Sequence, residues 1–242
     1  MPLTDQEERI KAQALDFARD KKKQIAKLLT APEVFPPEEH PVSIYMAGSP
    51  GAGKTEASLE LIKEVGGSVL RIDPDELRGQ FVAYTGDNSH LFQPAVSVLV
   101  ERILDTALKQ KQSYLLDGTL TNYEKAKQNI ERSLHKGRAV QILYVYQEPQ
   151  QAWEFVQARE ATEGRRIELE TFIQQYLEAR QVVNRLKKEF GKAIQVDLLL
   201  KDNDGSHRFY QANIDQIDNH VPEKYDSHAL RTLLGPPSGT QP

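Results

Sequence analysis

Gly48-Ser49-Pro50-Gly51-Ala52-Gly53-Lys54-Thr55 decides the reading of this chain, because it matches the phosphate-binding pattern G-x-x-x-x-G-K-[ST] at every fixed position. Glycines at these positions let backbone N–H groups crowd around phosphate oxygens, where a Cβ would obstruct. Lys54 is then within reach of the β- and γ-phosphates, and the Thr55 hydroxyl can ligate Mg²⁺. All eight residues, Gly48, Ser49, Pro50, Gly51, Ala52, Gly53, Lys54 and Thr55, are assigned to the nucleotide. The flanks agree. Residues 42–47 (Val-Ser-Ile-Tyr-Met-Ala) read as a buried strand, and 55–64 as a helix whose positive N-terminal end faces the phosphates. A glycine-rich turn with a chance lysine would need neither flank. A bound nucleoside triphosphate is the expectation.

Composition bounds the partners. The 242 residues can hold one large domain with appendages or two small ones. A formal net charge of −4 offers no global attraction to nucleic acid or to an anionic membrane. Cysteine is absent, which excludes disulfides, thiolate metal sites and cysteine nucleophiles. The first thirty residues are rich in charge and lack the apolar run of a signal peptide. No stretch approaches the roughly 18 apolar residues of a membrane span. The expectation is a soluble cytoplasmic protein with no membrane partner. His40, His90, His135, His207, His220 and His228 show no close metal-ligand spacing. An Asn-Lys-x-Asp guanine motif is also missing; the nearest string, Lys201-Asp202-Asn203-Asp204, does not fit.

Along the chain, residues 4–29 read as a helix with Ile10, Ala14, Phe17, Ile25 and Leu28 near one face. Such a helix either packs on the outside of the core or binds a partner, and packing is the commoner outcome. Pro32, Pro36, Pro37 and Pro41 mark an extended linker. After the first strand, further strands are expected at 68–73, 113–117, 139–146 and 194–201, separated by enough helical sequence for crossovers. That alternation predicts a doubly wound α/β domain of P-loop NTPase type, with a mostly parallel sheet and flanking helices. Residues 150–190 exceed what one crossover needs and are expected to contain a helical lid. The expected division is an N-terminal helix and linker over 1–40, a kinase-type domain over 41–222, and a tail over 223–242. Gly235-Pro236-Pro237-Ser238-Gly239 reads as disordered.

Catalytic groups of open α/β sheets gather at the carboxyl ends of the strands. Ile72-Asp73-Pro74-Asp75 and Asp117-Gly118-Thr119 occupy two such ends. Phosphoryl transfer needs a carboxylate that takes or orients the acceptor's proton near the γ-phosphate, and Asp75 is best placed for it. Asp75 could equally begin a helix as its N-cap, and spacing alone does not separate the two. Asp73 reads as structural. Asp117 follows the apolar run Tyr114-Leu115-Leu116, a Walker-B-like arrangement that can hold Mg²⁺ directly or through water. Thr119 either binds the acceptor or caps the following helix. Arg159, Arg165 and Arg166 surround Gly164 and could neutralise charge on a transferring phosphoryl group. On sequence alone, a charged helical surface with i,i+4 pairs explains them better.

Taken together, the loop at 48–55, Ile72-Asp73-Pro74-Asp75, Asp117-Gly118-Thr119-Leu120, Arg159 and Gly164-Arg165 resemble the zeta toxin family of bacterial P-loop kinases. The likeness covers residues 42–205, about two thirds of the chain, and the 21-residue step from Lys54 to Asp75 is its more specific part. The resemblance implies transfer of a phosphoryl group from ATP, with Mg²⁺, to the amino-sugar hydroxyl of UDP-N-acetylglucosamine, and an antitoxin partner. It implies Lys54 and Thr55 at the ATP phosphates and Mg²⁺, and Asp75 as the base. It places Asp117 where the family usually has a substrate-site Glu, matches Thr119 to a substrate-contacting Thr, and matches Arg159 and Arg165 to arginines that clamp phosphates. With it, Asp75 and Arg159 turn toward function.

Three departures bear on the acceptor. Thr121 stands where the family often has arginine, Asp117 is one methylene shorter than Glu, and residues 79–84 lack the proline expected in a substrate loop. A P-loop kinase for another hydroxyl, of an antibiotic, a sugar, a nucleoside or a polynucleotide 5′-end, is the alternative. An ATP-gated binding module without transfer is a third reading, though its site would not need a carboxylate opposite the phosphate loop.

Overall fold

The computed structural model describes residues 3–66, 68–164, 166–201, 208–221 and 224–235. Five parallel strands, β1 (Val42–Ala47), β2 (Leu70–Ile72), β3 (Tyr114–Leu116), β4 (Ala139–Tyr146) and β5 (Gln195–Lys201), stand in the order β2-β3-β1-β4-β5. A sixth, β6 (Arg208–Gln211), adds antiparallel to β5. The chain is thus mixed α/β with a mostly parallel sheet, as the alternation predicts. The strand expected over 68–73 is shorter because Asp73 leaves the ladder to cap a helix. β6 was not expected. It is a four-residue edge strand whose Phe209 and Tyr210 are exposed, so it carries no buried apolar run.

The helices are α1 (Asp5–Leu29), α2 (Lys54–Glu64), α3 (Pro74–Leu77), α4 (Ser89–Lys109), α5 (Tyr123–His135), α6 (Pro149–Glu163), α7 (Leu169–Phe190) and α8 (Ser227–Leu234). They cover both faces of the sheet, as the period-2 alternation of β1 requires. Tyr45 and Ala47 enter the larger core with α1, α4, α5 and α7. Ile44 and Met46 enter a smaller core roofed by Ala57, Leu61 and Ile62 of α2. Central strands buried on both sides explain why β1 and β4 read as near-continuous apolar runs.

Helix α1 begins at a capping box, where Thr4 and Glu7 exchange hydrogen bonds, and packs along α4 through Ala14, Ala18, Ile25 and Ala26. Leu28 departs from the expected stripe and is exposed, with Leu29 packing in its place. Phe17 stands edge-on to Phe81, 5.5 Å between ring centroids.

The long helical region divides in two. Helix α7 is a buried crossover, with Phe172, Ala179, Val183 and Leu186 in the core, whereas α6 lies over the carboxyl ends of the strands. Trp153 of α6 packs on Phe172, 5.1 Å between centroids. After residue 222, where periodicity is weak, α8 docks on α6 and α7 through Leu230, and Arg231 holds Glu170 by two 2.8 Å hydrogen bonds. Residues 236–242 of the expected tail lie outside the described residues.

At the amino ends of the strands, the buried Arg138 guanidinium donates to the Val42 carbonyl (2.8 Å), the Gln112 carbonyl (2.6 Å) and the Ser43 hydroxyl (2.7 Å). One side chain therefore ties β1 to the segment entering β3. Arg138→Leu removes three donors while leaving their acceptors buried, and is expected to cost about 3 kcal/mol, read as a lowered urea midpoint.

Candidate active site

β1 ends at Ala47 and the chain turns at once into the 48–53 loop. Gly48 has φ +134°, and a Cβ there would stand 2.3 Å from the Val145 carbonyl oxygen on β4. Gly51 has φ +73°, and a Cβ there would stand 2.0 Å from the Ala152 carbonyl oxygen on α6. These glycines are needed by the protein's own backbone packing, a requirement separate from room for phosphate. Gly53 precedes α2 without side-chain capping, so the first-turn N–H groups of that helix are left for another acceptor. Lys54 Nζ donates to the carbonyls of Ser49 (2.5 Å) and Gly48 (3.1 Å), across the loop.

Beside the loop, β2 ends at Ile72 and α3 begins. Asp73 is the N-cap: its Oδ1 accepts from the Asp75 N–H at 2.7 Å, with Pro74 in the first turn. That removes the capping role from Asp75, whose carboxylate instead faces the cleft and accepts from Arg78. Arg78 is buried, and its Nη2 donates to Gln93 on α4 at 3.0 Å.

Beneath these groups lies Arg71, on β2. Its Nη2 is 2.6 Å from both Asp73 Oδ2 and Asp117 Oδ2, its Nη1 is 2.6 Å from Glu76, and its Nε donates to Ser58 at 3.1 Å. Ser58 in turn donates to Asp117 Oδ2 at 3.1 Å. Burial opposes the Arg71 charge, but the bond to Asp117 and the charges of Asp73 and Asp117 outweigh it, so its pKa stands above the ordinary guanidinium value. Burial raises the pKa of Asp73, aided by Asp75 and Asp117 and opposed by the Asp75 N–H and Arg71.

All this opens on one cleft of about 1160 Å³ at the carboxyl ends of the strands. Pro50 to Thr55, Asp75, Asp117, Thr119 and Arg159 line it together; Gly48 and Ser49 do not. Arg165 lies outside the described residues. Its neighbour Arg166 pairs with Glu168 (3.0 Å) and Glu160 (3.8 Å) and does not line the cleft. Thr121 does line it, 3.4 Å from the Thr119 hydroxyl.

Sequence reasoning missed Arg71, Arg78, Gln93, Phe155 and Lys201. Arg78 had a signal, its i+3 spacing from Asp75. Arg71 had none, since it interrupts a strand that otherwise reads as apolar.

The profile of the family described as zeta toxin matches residues 25–215. The chain belongs to the zeta toxin family. Toxin PezT of Streptococcus pneumoniae serotype 4 is 25% identical to it over 119 residues, 46% of this chain and 47% of PezT. The chain thus matches about half the length of that relative. Among solved structures, that of the PezAT chromosomal toxin-antitoxin system of Streptococcus pneumoniae superposes with a TM-score of 0.62 at 18% identity, covering 96% of this chain and 88% of the other. A complex of AvrRxo1-ORF1 and AvrRxo1-ORF2 with sulphate ions gives 0.57 at 15% identity, covering 87% and 70%. The same pair with ATP gives 0.54 at 16%, covering 84% and 65%. At such identities the structural likeness establishes the fold, a kinase-like P-loop fold. No helix among the described residues of this zeta toxin family member is long and apolar enough to cross a membrane.

Replacing Arg71 by methionine leaves Asp73 and Asp117 buried without their shared cation. The Asp73 carboxyl, already raised by burial, then loses the Arg71 charge that opposed that rise, so stability falls more steeply as pH climbs from its unfolded to its folded value. Arg71→Met is expected to lose about 3 kcal/mol near pH 7 and to recover much of it toward about pH 5, read by denaturant melts across pH.

Proposed function

We propose that this zeta toxin family protein is an ATP-dependent kinase that transfers the γ-phosphate to a hydroxyl of a UDP-amino sugar such as UDP-N-acetylglucosamine. The observation that carries the proposal is the shared cleft, in which the phosphate loop and the Asp75 carboxylate face one space. Asp75 takes the proton from the acceptor hydroxyl as its oxygen attacks the γ-phosphorus, and the bond to the β-phosphate oxygen breaks to release ADP. Lys54 and the α2 N-terminus hold the donor phosphates, and Arg159 and Arg165 offset charge on the transferring group. Thr119 and Asp117 orient the acceptor.

A magnesium ion held at the Thr55 hydroxyl would neutralise charge on the donor phosphates. The fit on this chain centres on the Thr55 hydroxyl, because no cluster of three or more His, Asp or Glu that could hold a metal occurs among the described residues. Asp117 Oδ2 already accepts from Arg71 and Ser58, which leaves Oδ1 to serve the ion through water or to meet the acceptor. The likeness to the PezAT system supports an antitoxin partner, and the use of ATP supports a cytoplasmic location.

A kinase for a different hydroxyl is the second reading. The observation favouring it is Asp117, one carboxylate oxygen of which is already committed to Arg71, beside Thr121 where the family often has a cation. ATP incubated with a panel of UDP-sugars, free sugars, nucleosides and aminoglycosides, read by mass spectrometry, identifies the acceptor. UDP-N-acetylglucosamine left unphosphorylated while another member gains a phosphate would establish the second reading. Lys54→Ala is expected to abolish ATP binding by calorimetry. Asp75→Asn is expected to bind ATP as the wild type does and to transfer roughly a thousandfold more slowly. A fully active Asp75→Asn would remove Asp75 as the base. Wild-type expression should slow bacterial growth, and Asp75→Asn expression should not.

A further inference from the structure

In-line transfer requires the acceptor and the departing ADP on opposite sides of the γ-phosphate. The sheet order turns that requirement into a direction. The phosphate loop leaves the central strand β1, and the carboxylates Asp75 and Asp117 come from the ends of β2 and β3, on one side of it. On the other side stand α6, which follows β4, and Lys201, which ends β5. The nucleoside of the donor must therefore lie toward β4 and β5.

That side of the cleft carries apolar surface that a phosphate site does not need. Ala152, Phe155, Val156 and Arg159 share one face of α6 at helical spacing and all but Ala152 line the cleft. Ala152 is the residue that Gly51 packs against, so Phe155 stands one turn beyond the phosphate loop, on the way to Arg159. Phe155 is 45% exposed, and among the described residues no other ring packs on it. Leu59, 54% exposed, lines the same cleft one turn along α2 from Thr55. The Lys201 side chain lies over Gly53 with its Nζ paired to Glu56, which leaves its methylene stem along the wall. Phe155 and Leu59 together give the cleft an exposed apolar wall that a flat ligand can cover.

Building on the donor site assigned above, we propose that Phe155, flanked by Leu59 and the Lys201 stem, forms the nucleobase subsite and holds the purine of ATP by stacking. Stacking depends on a π-face and on area, so Phe155 adds affinity for the nucleoside and leaves the phosphates to Lys54 and the α2 N-terminus.

Calorimetry with two magnesium-loaded probes, ATP and inorganic tripolyphosphate, tests the subsite, because the second probe has the phosphates and no base. Wild type should bind ATP more tightly than tripolyphosphate. Phe155→Ala should weaken ATP about tenfold to a hundredfold, leave tripolyphosphate unchanged, and raise the KM for ATP with kcat held at saturation. Phe155→Trp should restore ATP affinity. Unchanged ATP affinity in Phe155→Ala, or equal weakening of both probes, overturns the subsite while leaving the phosphate site standing. Wild type binding tripolyphosphate as tightly as ATP also overturns it. Wild type binding neither probe would overturn the donor site itself. Should Phe155→Ala fail to fold by circular dichroism, Phe155→Leu serves instead, with the same weakening of ATP alone expected and the same results overturning the subsite.

Discussion

The phosphate loop lies where it does because no Cβ stands between it and the backbone it crosses. At Gly48 the obstructing atom would be a carbonyl oxygen of β4, and at Gly51 a carbonyl oxygen of α6, both far inside contact distance. Backbone cannot yield as a flexible side chain can, so the loop, the carboxyl end of β4 and α6 are positioned as one body. That contact sets the depth of the cleft and brings the cleft-lining face of α6 over the loop. It also explains how a helix that reads as an amphipathically weak, charged segment comes to present Phe155 and Arg159 to one space.

The opposite wall is organised by charge. Arg71 gathers Asp73 and Glu76 from the start of α3 and Asp117 from the end of β3, and Arg78 meets Asp75 from the other side. The arrangement alternates sign: one buried cation under the carboxylates and one beside the carboxylate that faces the cleft. Asp73 links the two halves, since one of its oxygens takes Arg71 and the other takes the Asp75 N–H. Positioning Asp75 therefore depends on a strand residue that never reaches the cleft. Buried ion pairs of this kind contribute little net stability against apolar replacements, and here the Arg71 guanidinium holds Asp73, Glu76 and Asp117 each at 2.6 Å. The balance suits a site in which one carboxylate must be held at a set place beside the phosphates.

Much of the fold was legible because its signals are local. The step from an apolar run to a glycine-rich loop to a helix is contained in about twenty residues, and β1 and β4 appear within the residues expected. Edges and ends were less legible. β6 is too short and too exposed to show a buried period, and α8 has a single fully buried residue, Leu230. In the site, Asp75, Asp117, Thr119 and Arg159 could be named because each sits at a strand end or on a helix in a recognisable order. Whether Asp75 capped α3 could not be read, since Asp73 and Asp75 are both capable caps. The answer rests on which oxygen reaches which N–H.

The amino-acid sequence by itself determined the class of fold, the phosphate loop and the family resemblance, because these follow from hydrophobic period and from residue types at fixed spacing. Tertiary structure alone decided which charges meet. Arg71 and Asp117 are 46 positions apart in the chain and 2.6 Å apart in space. Lys201 reaches Glu56 across 145 positions. Pairings at that separation depend on strand order, and strand order is set by how the crossover helices pack on the two faces of the sheet. No local pattern encodes it, so the floor of the site and the separation of its two sides became visible only in the folded chain.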